Sequence, residues 1–345
     1  MEYRTLGRSG CVVSSLALGT MTFGAETDEA GSHQQLDAFT DAGGTLVDTA
    51  DVYSAGESET IIGRWLANRP SQMRDTVVLA TKARFPMGTG SNDVGLSRRH
   101  LQRGLEDSLR RLDVDCVDLY QVHSFDPVTP LEETLRCLDD MVTAGKVRYV
   151  GLSNFTGWQV QKAVAVAQAN GFEVPVTLQP QYNMLVREIE WEIVPSCLDA
   201  GLGLLPWSPL GGGWLTGKYR RDTPPTGATR LGEDPTRGVE AYDARSRQER
   251  TWAVVDAVRV VADARGLTMA QVALGWLAQR PAVTSVILGC RSLEQLADNL
   301  GAADLRLDDA ETAALDAASD PGAADYPYGE PGLAQRSRQL QPAAG

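Results

Sequence analysis

Four residues of different chemical types lie at or just beyond the ends of predicted strands. Asp48, Lys82 and His123 each end an apolar, β-rich run, and Tyr53 follows Asp48 in the same predicted loop. The pKa of a phenol is about 10, but a neighbouring buried ammonium stabilises its anion. Tyr53 beside Lys82 therefore predicts proton donation to a carbonyl oxygen, with Asp48 holding the ammonium and His123 orienting the carbonyl.

Each of these residues taken singly has an ordinary structural explanation. A lysine at a strand end commonly pairs with a carboxylate, and a lone histidine is often a satisfied core residue. Lys82, however, is one of only four lysines in the chain. Four residue types converging on one edge of a sheet favour a catalytic site over a set of unrelated structural contacts.

The elements that must position these residues follow a regular alternation. Tyr3–Leu6 and Cys11–Val13 predict an N-terminal β-hairpin. The predicted strands are Ser15–Gly19, Thr45–Asp48, Thr76–Lys82, Cys116–His123, Val147–Leu152, Thr177–Gln181, Leu202–Trp207 and Ser285–Leu288. The predicted helices are Ser32–Ala42, Ser58–Ala67, Ser97–Leu112, Pro130–Ala144, Thr156–Asn170, Glu190–Ala200, Arg250–Gln279 (interrupted at Gly266), Ser292–Leu300 and Asp308–Ser319.

Eight strands alternating with helices predict an α/β fold with a parallel sheet buried on both faces. At this length the simplest closed form is a (β/α)8 TIM barrel. We expect residues 1–320 to form this single barrel and residues 321–345 to form a tail rich in Pro, Gly and Ala. The stretch Arg220–Arg247 breaks the alternation after the seventh strand, which predicts a long functional loop at the catalytic rim.

Composition excludes several classes of partner. Lys and Arg total 32 against 45 Asp and Glu, a net charge of −13, which argues against nucleic acid or an anionic membrane as a partner. The five cysteines show no C-x-x-C spacing, and no apolar run approaches the length of a membrane span. We therefore expect a soluble, cytoplasmic protein that acts on a small molecule without a metal; the oligomeric state stays open.

Seven segments of the sequence resemble the aldo-keto reductase superfamily. They are GTLVDTADVY, VVLATK, DLYQVH, VGLSNF, QPQYN, PWSPLGGGWLTGKY and VILGCRSLEQLADN, in order from residue 44 to residue 299. The resemblance implies a catalytic tetrad of Asp48, Tyr53, Lys82 and His123, with NADPH as hydride donor. The hairpin and the long loop most resemble the branch of bacterial reductases and potassium-channel β subunits. In those channel subunits the tetrad histidine is typically asparagine, so His123 favours a working enzyme.

The nucleotide-binding residues are implied by the same resemblance, since no G-x-G-x-x-G follows the first strand. Ser153, Asn154 and Gln179 would bind the nicotinamide carboxamide, and Trp207 would stack on the ring. The glycine-rich turn would bind the pyrophosphate, and nearby cations the phosphates. The complete set is Thr20, Met21, Asp48, Ser153, Asn154, Gln179, Trp207, Ser208, Pro209, Leu210, Gly211, Lys218, Arg230, Gly289, Arg291, Gln295 and Asn299.

An apolar set of rim residues predicts the substrate pocket: Phe23, Phe85, Phe125 and Trp214, with Met21 nearby. Such a pocket suits neutral aromatic or aliphatic aldehydes better than carboxylated or phosphorylated carbonyl compounds. Two alternatives remain open. One is a ketoreductase of a sugar pathway, for which Arg84 is the only obvious extra cation near Tyr53. The other is an NADP-binding regulatory subunit with little turnover.

Overall fold

The computed structural model describes residues 1–227, 230–234 and 240–337. The chain begins with the predicted hairpin, in which β1 (Tyr3–Thr5) pairs antiparallel with β2 (Val12–Ser14). The backbone nitrogen of Leu6 donates to the Cys11 carbonyl oxygen at 2.8 Å and closes the turn. The hairpin covers the amino-terminal end of the sheet that follows.

Eight parallel strands form the centre of the molecule, in the order β10, β3, β4, β5, β6, β7, β8, β9. They are β3 (Leu16–Gly19), β4 (Leu46–Asp48), β5 (Val78–Ala83), β6 (Val117–Val122), β7 (Val147–Ser153), β8 (Thr177–Gln179), β9 (Gly203–Leu204) and β10 (Val286–Gly289). The edges meet because Leu204 bridges Val283 and the Ile287 nitrogen donates to the Pro206 carbonyl oxygen at 3.1 Å. The predicted (β/α)8 barrel is confirmed.

Helices surround this sheet and begin at capping residues that the sequence supplies. Thr268 with Gln271, and Asp308 with Glu311, form capping boxes at two helix starts. The helices are α1 (Glu29–Asp41), α2 (Glu57–Ala67), α3 (Ser71–Thr76), α4 (Arg98–Leu112), α5 (Leu131–Thr143), α6 (Gly157–Asn170), α7 (Ile193–Ala200), α8 (Arg230–Glu233), α9 (Tyr242–Arg245), α10 (Glu249–Arg265), α11 (Met269–Ala278), α12 (Leu293–Leu300), α13 (Asp309–Ser319) and α14 (Glu330–Arg336).

Several predicted boundaries were wrong, and proline explains two of them. The sixth and seventh barrel strands end at Gln179 and Leu204, before the predicted Gln181 and Trp207. Pro180 and Pro206 lack the backbone N–H that a continued ladder needs. The short helix α3 was not predicted, and neither was α14 in the tail.

The apolar core has two parts that leave the carboxyl-terminal ends of the strands for polar residues. A large cluster lies between the sheet and the helices. A smaller cluster fills the barrel interior and includes Leu6 and Val13 from the hairpin, Leu46, and Leu119. Within the described ranges, no helix is both long enough and apolar enough to cross a bilayer.

Candidate active site

Lys82 lies on β5 with its side chain fully buried. Its Nζ donates to Asp48 Oδ2 at 2.7 Å, to the Thr49 carbonyl oxygen at 2.8 Å and to the Tyr53 hydroxyl at 3.3 Å. Burial lowers the pKa of Lys82, but Asp48 and Tyr53 raise it by more, so the net shift is upward. Lys82 is therefore a charged ammonium with three acceptors, one of which is the phenol.

Asp48 ends β4, and its carboxylate is held from two sides. Opposite the ammonium, Oδ1 accepts from the side-chain amides of Gln121 at 3.3 Å and Gln179 at 2.9 Å. The Asp48 carbonyl oxygen accepts from the backbone nitrogen and the hydroxyl of Thr20, both at 3.0 Å. A buried ion pair needs such additional hydrogen bonds to offset its desolvation. Gln121 was not identified from the sequence, because an amide within a strand carries no sign of which charge it faces.

Tyr53 begins a tight 3₁₀ turn that directly follows the β4 loop. Ser54 and Ala55 adopt left-handed backbone angles, with φ of 49° and 55°, and the Ser54 hydroxyl donates to the Phe23 carbonyl oxygen at 2.7 Å. Backbone strain of this kind is often found at functional sites. Burial raises the pKa of Tyr53, and the opposing effect of Lys82 does not cancel it. Lys82 lowers the pKa of Tyr53, as predicted, but the net shift of that pKa is upward.

His123 lies just beyond β6, between two aromatic rings. Its ring centroid is 5.9 Å from that of Tyr53 and 4.7 Å from that of Phe85. Burial, followed by the positive charges of Lys82 and Arg84, lowers the pKa of His123 to about 2. Its Nδ1 is buried without a hydrogen-bond partner in the described part of the chain. The imidazole is therefore neutral at physiological pH.

Asp51 was not predicted, although it lies between Asp48 and Tyr53 in sequence. It is fully buried, and neither carboxylate oxygen has a hydrogen-bond partner within the described residues. Burial and the neighbouring Glu59 raise the pKa of Asp51 to about 7. Glu59 itself is paired with Arg111 at 2.7 Å. Asp51 is thus a buried carboxyl group close to Lys82 and Glu59 that no side chain among the described residues holds by a hydrogen bond.

The residues predicted to bind the nicotinamide are connected to one another. The Asn154 side-chain amide donates to the His123 carbonyl oxygen at 2.9 Å, and Trp207 Nε1 donates to Asn154 Oδ1 at 3.0 Å. The Ser153 hydroxyl donates to the Gln179 carbonyl oxygen at 2.9 Å. Asn154 has a φ of 55°, a left-handed conformation that orients its side chain towards both partners. The Gln179 amide, which the resemblance predicts to bind the carboxamide, donates to Asp48 Oδ1 at 2.9 Å.

The predicted pyrophosphate turn contains three glycines with positive φ, Gly211 to Gly213. The nitrogens of Gly211 and Gly213 donate within the turn, to the carbonyl oxygens of Ser208 and Leu210, both at 3.0 Å. These two N–H groups are therefore already hydrogen-bonded within the turn. A Cβ at Gly213 would come within 2.2 Å of Lys218 Cε, so the lysine side chain lies directly across the turn.

At the opposite end of the predicted nucleotide site, Arg291 contacts two carboxylates. It pairs with Glu233 at 3.0 Å and with Glu26 at 3.4 Å. The Gln295 side chain accepts from the Arg291 nitrogen at 2.9 Å, and the buried Asn299 donates to Cys290 Sγ at 3.3 Å. The side chain of Arg230 lies outside what the structure describes, although its backbone begins α8. Pro209 is buried, and Gly289, which ends β10, is exposed.

Two of the four predicted substrate residues lie at the rim. Phe85 and Phe125 are half-buried, and Phe125 packs against Phe155 and Trp158 at 5.4 and 5.7 Å between centroids. Trp158, near the start of α6, is 57% exposed and was not predicted. An aromatic residue at the second position of the helix that follows a barrel strand could have indicated it. Met21 is 39% exposed on the neighbouring loop.

The other two, Phe23 and Trp214, are fully buried in the outer core. The Trp214 ring stacks on Tyr242 at 5.4 Å, and its Nε1 donates to the Glu240 carbonyl oxygen at 3.0 Å. The prediction that Phe23 and Trp214 line the substrate pocket was wrong, because both side chains are packed inside the core. Tyr242 and Glu240, in the described part of the predicted loop, pack on Trp214, and the sequence alone did not show that they would.

Comparisons with known proteins agree with this geometry. The Aldo/keto reductase family profile matches residues 15–320. The chain is 39% identical over 316 residues to the uncharacterized oxidoreductase YrpG of Bacillus subtilis, covering 89% of this chain and 93% of that protein. It is 38% identical to a probable voltage-gated potassium channel subunit beta of Oryza sativa, covering 88% and 92%. It is 33% identical to versiconal hemiacetal acetate reductase of Aspergillus parasiticus, covering 89% and 94%. The chain belongs to the aldo/keto reductase family.

Proposed function

We propose that this protein reduces an aldehyde or ketone to an alcohol with NADPH as the reductant. The observation that carries the proposal is the position of Lys82, whose ammonium contacts both the Asp48 carboxylate and the Tyr53 hydroxyl. A buried ammonium held by a carboxylate and pointed at a phenol is suited to proton transfer from that phenol. The printed names of two relatives, an oxidoreductase and a reductase, agree with this chemistry.

Tyr53 is the proposed general acid. Its hydroxyl would donate a proton to the oxygen of the carbonyl group as negative charge develops there. Lys82, 3.3 Å away, would stabilise the resulting phenolate, and Asp48 keeps the ammonium in place. General acid catalysis of this type contributes about 10²–10⁴ in rate.

His123 is the proposed orienting group. Its low pKa keeps the imidazole neutral, so it can donate one hydrogen bond to the carbonyl oxygen without competing as a proton source. The Asn154 amide holds the His123 backbone carbonyl at 2.9 Å and so fixes the residue relative to the nicotinamide side of the site. The aromatic rings of Tyr53 and Phe85 restrict the rotation of the imidazole.

The chain's own residues fit a nicotinamide dinucleotide. Trp207 is fixed by Asn154 at one end of the site, Lys218 lies across the glycine turn in the middle, and Arg291 is at the other end. A flat indole, a cation on a glycine turn and a guanidinium match a ring, a pyrophosphate and a 2′-phosphate respectively. When bound, NADPH supplies the hydride for the carbonyl carbon.

A panel of carbonyl compounds tests the proposal. We expect NADPH consumption to match formation of the alcohol for at least one aldehyde. His123→Asn should lower kcat/KM by about 10² or more, the lower end of the range for removing a hydrogen-bond donor to the developing oxyanion, while the NADPH dissociation constant stays within a factor of about three. If no compound in the panel is reduced at a rate above the buffer control, the proposal is wrong.

The similarity to channel β subunits favours a second candidate, an NADP-binding regulatory subunit. The same measurements separate the two. A regulatory subunit would bind NADPH and turn over little, and His123→Asn would change neither quantity. The oxidoreductase requires measurable turnover that the histidine variant loses.

A further inference from the structure

Arg84 lies at the rim of the barrel two residues after Lys82. Its carbonyl oxygen accepts from the Gly95 nitrogen at 2.9 Å, which fixes the backbone just beyond β5. The guanidinium carbon is 5.2 Å from the centre of the Phe85 ring. Because the Phe85 ring is itself 4.7 Å from the His123 ring, Arg84 is separated from the tetrad by a single aromatic side chain.

The guanidinium of Arg84 has few partners. Within the described residues it makes one hydrogen bond, from Nη2 to the Phe125 carbonyl oxygen at 3.5 Å, and no carboxylate lies within ion-pair distance. Its Nε is buried without an acceptor. A buried donor without a partner costs free energy. By contrast, Arg111 and Arg291 both pair with carboxylates.

The acidic groups around Arg84 already accept hydrogen bonds from other donors. Asp126 interacts electrostatically with Arg84, but its oxygens already accept from the Leu96 nitrogen, the Val128 nitrogen and the Thr129 hydroxyl at 2.7–3.0 Å. The Asp48 carboxylate is committed to Lys82. Two cations, Lys82 and Arg84, therefore flank the neutral His123.

We infer that Arg84 binds a carboxylate on the carbonyl substrate, so that the preferred substrates are aldehydes or ketones carrying one negative charge. The inference rests on the proposed carbonyl reduction. A guanidinium matches a carboxylate with two parallel hydrogen bonds. Phe85 and Phe125 would contact the apolar segment between the carboxylate and the carbonyl group. One weakly partnered cation matches one negative charge better than the two of a phosphate monoester. The inference reverses the expectation, drawn from the apolar residues alone, that neutral aldehydes are preferred.

A matched substrate pair tests this inference. 4-Carboxybenzaldehyde and methyl 4-formylbenzoate differ chiefly in charge. We expect wild type to favour the acid over the ester by about tenfold or more in kcat/KM, a conservative value for a charge-assisted contact. Arg84→Gln should bring this ratio to about one by slowing the acid while leaving the ester within about threefold. 4-Formylphenyl phosphate should not exceed the carboxylate.

Arg110→Gln is the matched control, since Arg110 is 72% exposed on α4 and pairs with Asp107. It removes the same charge from the molecule and should leave the acid-to-ester ratio unchanged. A wild-type enzyme that reduces the ester as well as the acid would overturn the Arg84 inference and leave the proposed function intact. So would an equal fall in the ratio for both arginine variants.

A binding measurement keeps the inference testable even if neither aldehyde is reduced. Calorimetry with 4-(hydroxymethyl)benzoate, which needs no turnover, should give a dissociation constant about tenfold weaker for Arg84→Gln than for wild type. Equal constants for the two proteins would contradict the inference. Absence of turnover with intact carboxylate binding would instead contradict the proposed reduction alone.

Discussion

The tetrad and the distal end of the proposed cofactor site hold their charges in different ways. Lys82 and Asp48 lie on adjacent barrel strands, and every hydrogen-bonding proton of the ammonium has an acceptor. Arg291 follows β10 and contacts Glu26 and Glu233, which come from two separate connections. The sheet register presets the first pair, whereas the second is a contact that a phosphate would have to replace. The barrel thus fixes the proposed catalytic pair, whereas under the proposed function a phosphate would displace the loop carboxylates from Arg291.

The largest expected effect comes from breaking the strand-held pair. Lys82→Met should lower kcat/KM by about 10² or more, since the phenolate loses its counter-ion. It should also lower the free energy of unfolding by about 3–5 kcal/mol, because Asp48 stays buried without its partner. Denaturant unfolding and steady-state kinetics measure the two effects.

The double variant Asp48→Asn/Lys82→Met provides the control for this prediction. It removes both charges, so much of the lost stability should return while activity stays low. If the single and double variants are equally unstable, the burial of an unpaired carboxylate is not the cause.

The Asp51 carboxyl group has no ion-pair partner among the described residues. Removing its charge should therefore raise the free energy of unfolding, whereas Lys82→Met lowers it. Its pKa of about 7 in the folded protein is above the unfolded value of 3.8. Between these values the unfolded chain binds fewer protons, so stability falls as pH rises. Asp51→Asn should remove this loss and stabilise the protein by a few kcal/mol at pH 8, at about 1.4 kcal/mol per pKa unit.

Thermal unfolding at pH 5 and pH 8 checks the Asp51 prediction. The gain in Tm of Asp51→Asn over wild type should be larger at pH 8. A gain that is the same at both pH values would show that Asp51 does not titrate in this range. Asp75→Asn, in the exposed part of α3, is a suitable control and should show no such difference.

The exchange at Arg291 can be tested by removing the guanidinium. Arg291→Ala should weaken NADPH binding by about 1.5–3 kcal/mol, the range for a hydrogen bond to a charged group, with little change for NADH. Arg259→Ala, on the exposed face of α10 and paired with Asp256, is the control. Equal losses for both nucleotides would contradict a role at the 2′-phosphate.

The smallest effect on NADPH binding is expected from neutralising Glu233, the carboxylate that would compete with the phosphate for Arg291. Glu233→Gln should tighten NADPH binding by about 0.2–1 kcal/mol, because an exposed ion pair no longer competes for Arg291. Glu294, which is also exposed, lies in the first turn of α12, the helix that follows Arg291. Glu294→Gln should leave the dissociation constant of NADPH unchanged. Isothermal titration of both variants decides the matter, and weaker NADPH binding by Glu233→Gln would refute the competition.

The sequence predicted the barrel and the tetrad better than the rim, for physical reasons. Strand periodicity and polar residues at strand ends are local signals, and both predicted that Asp48, Lys82 and His123 lie at one end of the barrel, where the structure has them. The burial of Trp214 depends instead on contacts with residues distant in sequence, such as Tyr242 and Trp252, which leave no local pattern. The roles of Asp51 and Arg84 depend on which charges lie nearby in space and already have partners. These charge pairings form only when the chain has folded.

Tyr53→Phe tests the central claim most directly, because it removes one hydroxyl and keeps the ring that packs beside Lys82 and His123. The account predicts that kcat/KM falls by about 10² or more while the NADPH dissociation constant and the Tm stay close to wild type. Tyr326→Phe, 71% exposed and far along the chain, controls for the substitution itself. Residual activity above about one tenth of wild type, with NADPH binding intact, would contradict Tyr53 as the general acid.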